Sequence, residues 1–127
     1  MGRGERAWST TARGRRAEDL AAAYLARQGY RLVQRNYRVR RGEIDLVAEE
    51  QRTLCFIEVR SRASTRFGHP LETIDRRKRQ RLLRAAQHFL HRHGDPAVPV
   101  RFDVLAIVLR PRLEITLVRG AFTADGS

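Results

Sequence analysis

Lysine is nearly missing from this chain: of 26 lysine and arginine residues, Lys78 is the one lysine. Almost every cation is therefore a guanidinium, which stays charged and cannot serve as a general base. A single cysteine, Cys55, excludes an internal disulfide; it falls in a β-rich run where a buried position is expected, and a reducing cytoplasm fits best. No apolar run approaches 18 residues, which excludes a helical membrane span, and no charged-then-apolar leader suggests secretion. There is no Gly-rich phosphate loop, no serine nucleophile elbow, no internal repeat and no linker. His88, His91 and His93 lie close in sequence, but they lack a fourth ligand or a cysteine partner, so zinc is not the expected cofactor.

What is present is charge. Fourteen acidic residues leave a net charge of +12 and a pI near 11.5, far more than solubility requires, and this points to a polyanionic partner. The arginines gather around one region. Arg15 and Arg16, then Arg38, Arg40 and Arg41, then Arg62 and Arg66, then Arg76, Arg77 and Arg79 are the candidate nucleic-acid contacts. Membrane binding is not expected, because the basic segment 76–93 spends Leu82, Leu83, Ala86, Phe89 and Leu90 on a stripe that a small domain needs for its core. Arginine as solvated decoration is the plainer alternative.

At 127 residues the chain is expected to form one domain with a modest core. Residues 1–12 read as a disordered basic N-terminus, 13–122 as the domain and 123–127 as a tail. A helix is predicted over 13–28, with Ala17, Leu20, Ala21, Tyr24 and Leu25 as its apolar stripe and Gly29 as its stop. Strands follow over 30–39, 42–48 and 53–60. Asp75 caps a helix to about His93, ended by Gly94. Strands over 100–109 and 113–118 complete the order αβββαββ. Asp103, inside an apolar strand, needs a partner, and an arginine contact is expected.

The stretch 42–62 carries the chemistry. Two β-rich runs separated by Glu49-Glu50-Gln51-Arg52 form a hairpin. With the turn centred on Glu50-Gln51, Asp45 would lie opposite Phe56, with Glu58 its diagonal neighbour roughly 7–8 Å away between α-carbons. Alternation puts Leu54, Phe56, Glu58 and Arg60 on one face and Cys55, Ile57 and Val59 on the other. Two carboxylates beside a fixed cation suit Mg²⁺ or Mn²⁺, since a hard cation needs only one or two carboxylates plus a substrate phosphate. A surface hairpin with an ordinary Glu58–Arg60 ion pair is the alternative. Lys78, in the first turn of the second helix, either reaches a phosphate or is one more solvated cation in an Arg-Arg-Lys-Arg run. Tyr37, Phe67 and His69 are the rings to watch for base stacking.

The segments "GRRAEDLAAAYLARQGY", "RNYRVRRGEIDLVA", "LCFIEVRSR", "FGHPLETIDRRKRQRLLRAAQHFL" and "RFDVLAI", in this order, resemble the YraN family. That family is related to the archaeal Holliday-junction resolvases and to restriction enzymes of the PD-(D/E)xK superfamily. The resemblance implies a restriction-endonuclease-like α/β fold in three layers, with a mixed central sheet flanked by helices. It implies that Asp45 and Glu58 bind metal, that Glu18 supplies a further metal or water contact, and that Arg60 occupies the motif's lysine position. Arginine there can contact the scissile phosphate but cannot be deprotonated as a tuned lysine can.

The expected function is thus binding of DNA, branched or nicked in preference to plain duplex, with Mg²⁺-dependent cleavage. Catalytic candidates are Glu18, Asp45, Glu58, Arg60 and Lys78, in a monomer or homodimer. The rival readings are a catalytically inactive DNA-binding module of the same fold, and an RNA- or ribosome-associated accessory protein.

Overall fold

Where the first helix stops is dictated by Gly29. Its φ of 96° lets the chain reverse so that Gly29 N–H donates to the Ala26 carbonyl at 3.1 Å and Tyr30 N–H to the Leu25 carbonyl at 2.9 Å, the paired bonds of a Schellman end. The computed structural model describes residues 12–73 and 75–124. Helix α1 (Ala12–Arg27) is followed by strands β1 (Arg31–Val39), β2 (Gly42–Glu50) and β3 (Thr53–Arg62). A 3₁₀ turn (Pro70–Thr73), helix α2 (Arg76–His93) and strands β4 (Val100–Val108) and β5 (Glu114–Phe122) complete the order. The expected disordered N-terminus lies outside the described residues except for residue 12, as does most of the expected tail.

The five strands form one sheet in sequence order, antiparallel except for the parallel β3–β4 pair. One helix covers each face. Against α2 lie Tyr37, Ile44, Val47, Phe56, Phe102, Val104 and Phe122; against α1 lie Leu46, Ala48, Cys55, Ile57, Leu105 and Ile107. This is the three-layer, restriction-endonuclease-like α/β architecture expected from the sequence, with a mixed sheet between helices. Four of the five phenylalanines form a continuous series of rings on the α2 face: Phe89 meets Phe56 edge-on at 5.7 Å, Phe56 stacks on Phe102 at 5.7 Å, and Phe102 on Phe122 at 5.3 Å. The fifth, Phe67, is 88% exposed. Among the described residues no helix is long and apolar enough to cross a membrane.

Two strand expectations need correction. The β2–β3 hairpin turns at Gln51-Arg52, both at positive φ (48° and 70°), so Glu50 pairs with Thr53 and Val47, not Asp45, faces Phe56. The cause is Glu50. Instead of standing at the tip of the turn it ends the strand, held at 2.6 Å by both Arg101 and Arg119. A shift of two residues keeps every side chain on its face, so the alternation read for β3 holds.

Strand β5 also runs on to Phe122 rather than stopping at Val118. Gly120, with φ 63°, is absorbed as a bulge between the Val104–Val118 and Phe102–Phe122 pairs, and its N–H donates to Asp103 at 2.9 Å. Asp103 is fully buried and takes both Arg101 nitrogens, at 2.8 and 2.9 Å, and the Tyr30 hydroxyl at 2.8 Å. The expected arginine partner is therefore present.

Candidate active site

A break in alternation builds the site. Ile44 packs on the α2 face, whereas Leu46, two residues on, packs on the α1 face. The strand therefore slips at Asp45. Opposite it, between the Arg35–Leu46 and Tyr37–Ile44 pairs, Asn36 takes a left-handed φ of 53°. At this kink the Asp45 carboxylate Oδ2 accepts the Val59 N–H of β3 at 2.8 Å. The β2–β3 ladder ends at the Leu46–Ile57 pair, so Asp45 and Glu58 meet just beyond it, where the strands are no longer paired.

They share the wall of an open cavity of about 490 Å³ where β2 begins and β3 ends, with Gly14 of α1 and Lys78 and Arg81 of α2 on its other sides. The wall carries three carboxylates, Glu43, Asp45 and Glu58, against four cations, Arg60, Arg62, Lys78 and Arg81. Arg60 stands 3.6 Å from Glu58, and Arg81 pairs with Glu43 at 3.0 Å. Lys78 is carried there by the cap of α2, where Asp75 accepts the Lys78 N–H at 2.9 Å.

Burial pushes Asp45 well above the usual carboxylate range, and the Glu58 charge adds to the rise against the opposing Val59 hydrogen bond. Glu58 is raised as well, by burial first, although Arg60 and Lys78 pull the other way. The two carboxyl groups titrate against each other across the cavity wall. Like charges this close do not both ionise unless a proton or a cation lies between them.

Glu18 is buried in α1 but is not on the cavity wall. Its Oε1 accepts from Asn36 Nδ2 at 3.2 Å, its Oε2 is buried without a protein partner, and its charge reaches Asp45. Burial raises its pKa. Among the described residues no group of three or more His, Cys, Asp or Glu could hold a metal ion by itself. The Asp45–Glu58 pair nevertheless fits a hard cation that keeps several waters, while Glu18, off the cavity wall, reaches it only through its charge.

Of the other sequence candidates, Arg62 lines the cavity. Arg15, Arg16, Arg40, Arg41, Arg66, Arg76 and Arg77 are exposed, while Arg38 and Arg79 are half-buried, Arg79 with its Nε sealed from solvent. Tyr37 is no stacking platform. It is buried against Phe89, and its hydroxyl meets His88 Nδ1 at 2.5 Å. His69 Nδ1 accepts the Leu71 N–H at 3.2 Å, holding the 3₁₀ turn. Phe67 remains the exposed ring, with the Arg66 guanidinium 5.5 Å from its centre. Sequence reasoning missed Glu43 and Arg81 as wall residues; the signals were Glu43's place two residues before Asp45 and Arg81's place one turn beyond Lys78.

A family model described as "Uncharacterised protein family UPF0102" matches residues 17–107. A UPF0102 protein of Chlorobium phaeobacteroides is 48% identical over 97 residues, covering 76% of each chain. One from an Anaeromyxobacter species is 45% identical over 128 aligned positions, 98% of this chain and 94% of the relative. One from Persephonella marina is 40% identical over 113 residues, 89% and 95% respectively.

Proposed function

Given that the chain belongs to the UPF0102 (YraN) family, we propose that it is a nucleic-acid-binding protein that hydrolyses phosphodiester bonds with Mg²⁺ or Mn²⁺, on DNA that is branched or nicked. The observation that carries the reading is the juxtaposition of two carboxylates, buried Asp45 and half-buried Glu58, with Arg60 and Lys78 in one cavity of a chain of net charge +12. Buried like charges are costly unless they are needed to hold a cation, and an excess of arginine around them suits a polyanion.

Asp45 and Glu58 would hold the metal, which when bound activates water and offsets charge on the phosphoryl oxygens. Arg60 and Lys78 hold the scissile phosphate and stabilise the charge that develops on it. Lys78 is the one amine available to move a proton, because a guanidinium keeps its own. The Val59 N–H fixes Asp45, leaving its second oxygen for the metal. Exposed Phe67, in the loop that follows the catalytic strand, offers a ring to a base released from its stack, which supports a branched or nicked substrate over intact duplex.

Nicking of four-way junctions, flaps, nicked duplex and plain duplex with Mg²⁺ or Mn²⁺ tests this. Activity lost in Asp45→Asn and Glu58→Gln with binding retained is the expected result. Equal cutting by wild type and both variants would place the activity elsewhere.

Arg60, where a lysine is the more versatile residue, favours a second reading, a binding module without catalysis. Arg60→Lys separates the two. Raised nicking supports the enzyme, whereas binding by an inert wild type and an inert Arg60→Lys supports the module. Tighter binding to RNA than to matched DNA would favour an RNA-associated role.

A further inference from the structure

A second concavity, of about 340 Å³, opens beside the site, and its lining is Arg40, Arg41 and Arg84. Arg40 and Arg41 form the β1–β2 turn; Arg84 belongs to α2, and its guanidinium donates to the Arg41 carbonyl at 3.5 Å. Elsewhere, arginines of this chain meet carboxylates: Arg31 with Glu49, Arg35 with Asp19, Arg81 with Glu43, Arg119 with Glu50. No carboxylate lies on this wall.

The grouping is enforced by backbone. Gly42 packs so tightly under α2 that a β-carbon there would stand 2.8 Å from the Arg81 carbonyl oxygen and 2.9 Å from the Ala85 nitrogen. The turn and the helix are therefore locked against each other, so that exposed Arg40, Arg41 and Arg84 line one shallow, open concavity.

We infer that Arg40, Arg41 and Arg84 form a single phosphate-binding cleft, which seats a backbone phosphate of the nucleic acid next to the scissile one held by Arg60 and Lys78. Guanidinium forks match phosphate oxygens in pairs and are the favoured donors for them. The distance suits this role. Arg81 lines the active cavity and Arg84 lines the cleft, and residues three apart on a helix are roughly 5–6 Å apart at Cβ. The two openings are therefore neighbours along α2, as adjacent phosphates are along a strand. The cleft would fix which phosphodiester enters the cavity.

The inference rests on the nucleic-acid reading above, and the test separates the two. Binding of a fluorescein-labelled nicked duplex is followed by anisotropy between 50 and 200 mM salt, as an assay range of about the width over which such contacts respond. The proteins are wild type, the triple Arg40→Gln, Arg41→Gln, Arg84→Gln variant, and Arg84→Glu, with melting curves to confirm folding.

One shared phosphate predicts that the triple variant flattens the log–log salt slope by about 0.9. Three arginines each on its own phosphate would flatten it by about 2.7, and that result overturns the cleft. Arg84→Glu, a single exposed change that folds even if the triple variant does not, is expected to lose the same single contact and to shift the position of nicking. A slope and a nicking position unchanged in every variant overturn the cleft while leaving the nuclease reading intact. A wild type that binds no nucleic acid overturns both.

Discussion

Asp45 and Glu58 work against stability in order to hold a site. Both are raised by burial, and the Glu58 charge raises Asp45 further, so between the ordinary carboxylate range and their raised values the folded protein holds more protons than the unfolded chain. Stability is therefore greatest at the acid side of that window and falls as pH rises through the folded values. Asp45→Asn removes one charge while its side-chain oxygen can still accept the Val59 N–H. The metal-free variant is expected to melt higher than wild type at neutral pH and to show a flatter pH dependence. Each kcal/mol gained is worth roughly 4 °C in a domain of this size. Mg²⁺ should raise the wild-type melting temperature and leave the variant unmoved. A wild type more stable than Asp45→Asn at every pH would show that the carboxylate is satisfied in the fold without a cation.

At the scale of elements, α2 lies close against the start of β2 at Gly42. A methyl group there meets backbone atoms, which cannot swing aside as a side chain can. Gly42→Ala is expected to cost about 1–3 kcal/mol, read as a lower urea midpoint at unchanged m-value, and to weaken DNA binding by moving Arg40 and Arg41 off Arg84. The element order, both helix stops and the two faces of β3 were legible in the sequence because Gly29, Gly94 and strict alternation speak locally. Three features were not. The Gln51-Arg52 turn lacks the Asn-Gly chemistry by which such turns announce themselves, and it is set instead by Arg101 and Arg119 from distant strands. The bulge at Gly120 answers Asp103, 17 residues away. The slip at Asp45, which creates the site, is a compromise between packing on two helices, and no run of letters in β2 records it.

The whole molecule has two unlike ends. At one end of the sheet Glu50 is held down to about 2 by the hydrogen bonds of Arg119 and Arg101, and Asp103 occupies Arg101 further, so cations there are spent on neighbours. At the other end are the active cavity, the arginine cleft, Arg62 on the cavity wall and Arg76 and Arg77 on the first turn of α2. A polyanion should therefore dock at one end only. Engaging 4–6 phosphates there would give duplex DNA a log–log salt slope of about −4 to −5 for the wild type. Arg119→Gln subtracts a charge from the neutralised end. It is expected to lower the melting temperature and to lose stability less steeply as pH falls from the ordinary glutamate range toward 2, because the depressed Glu50 would no longer favour the folded state above that range. The salt slope should stay as it was, since no phosphate contact is lost. If instead binding hardly responds to salt, or Arg119→Gln flattens the slope as far as the loss of a cleft arginine does, charge is acting as an undivided surface field and the two-ended account fails.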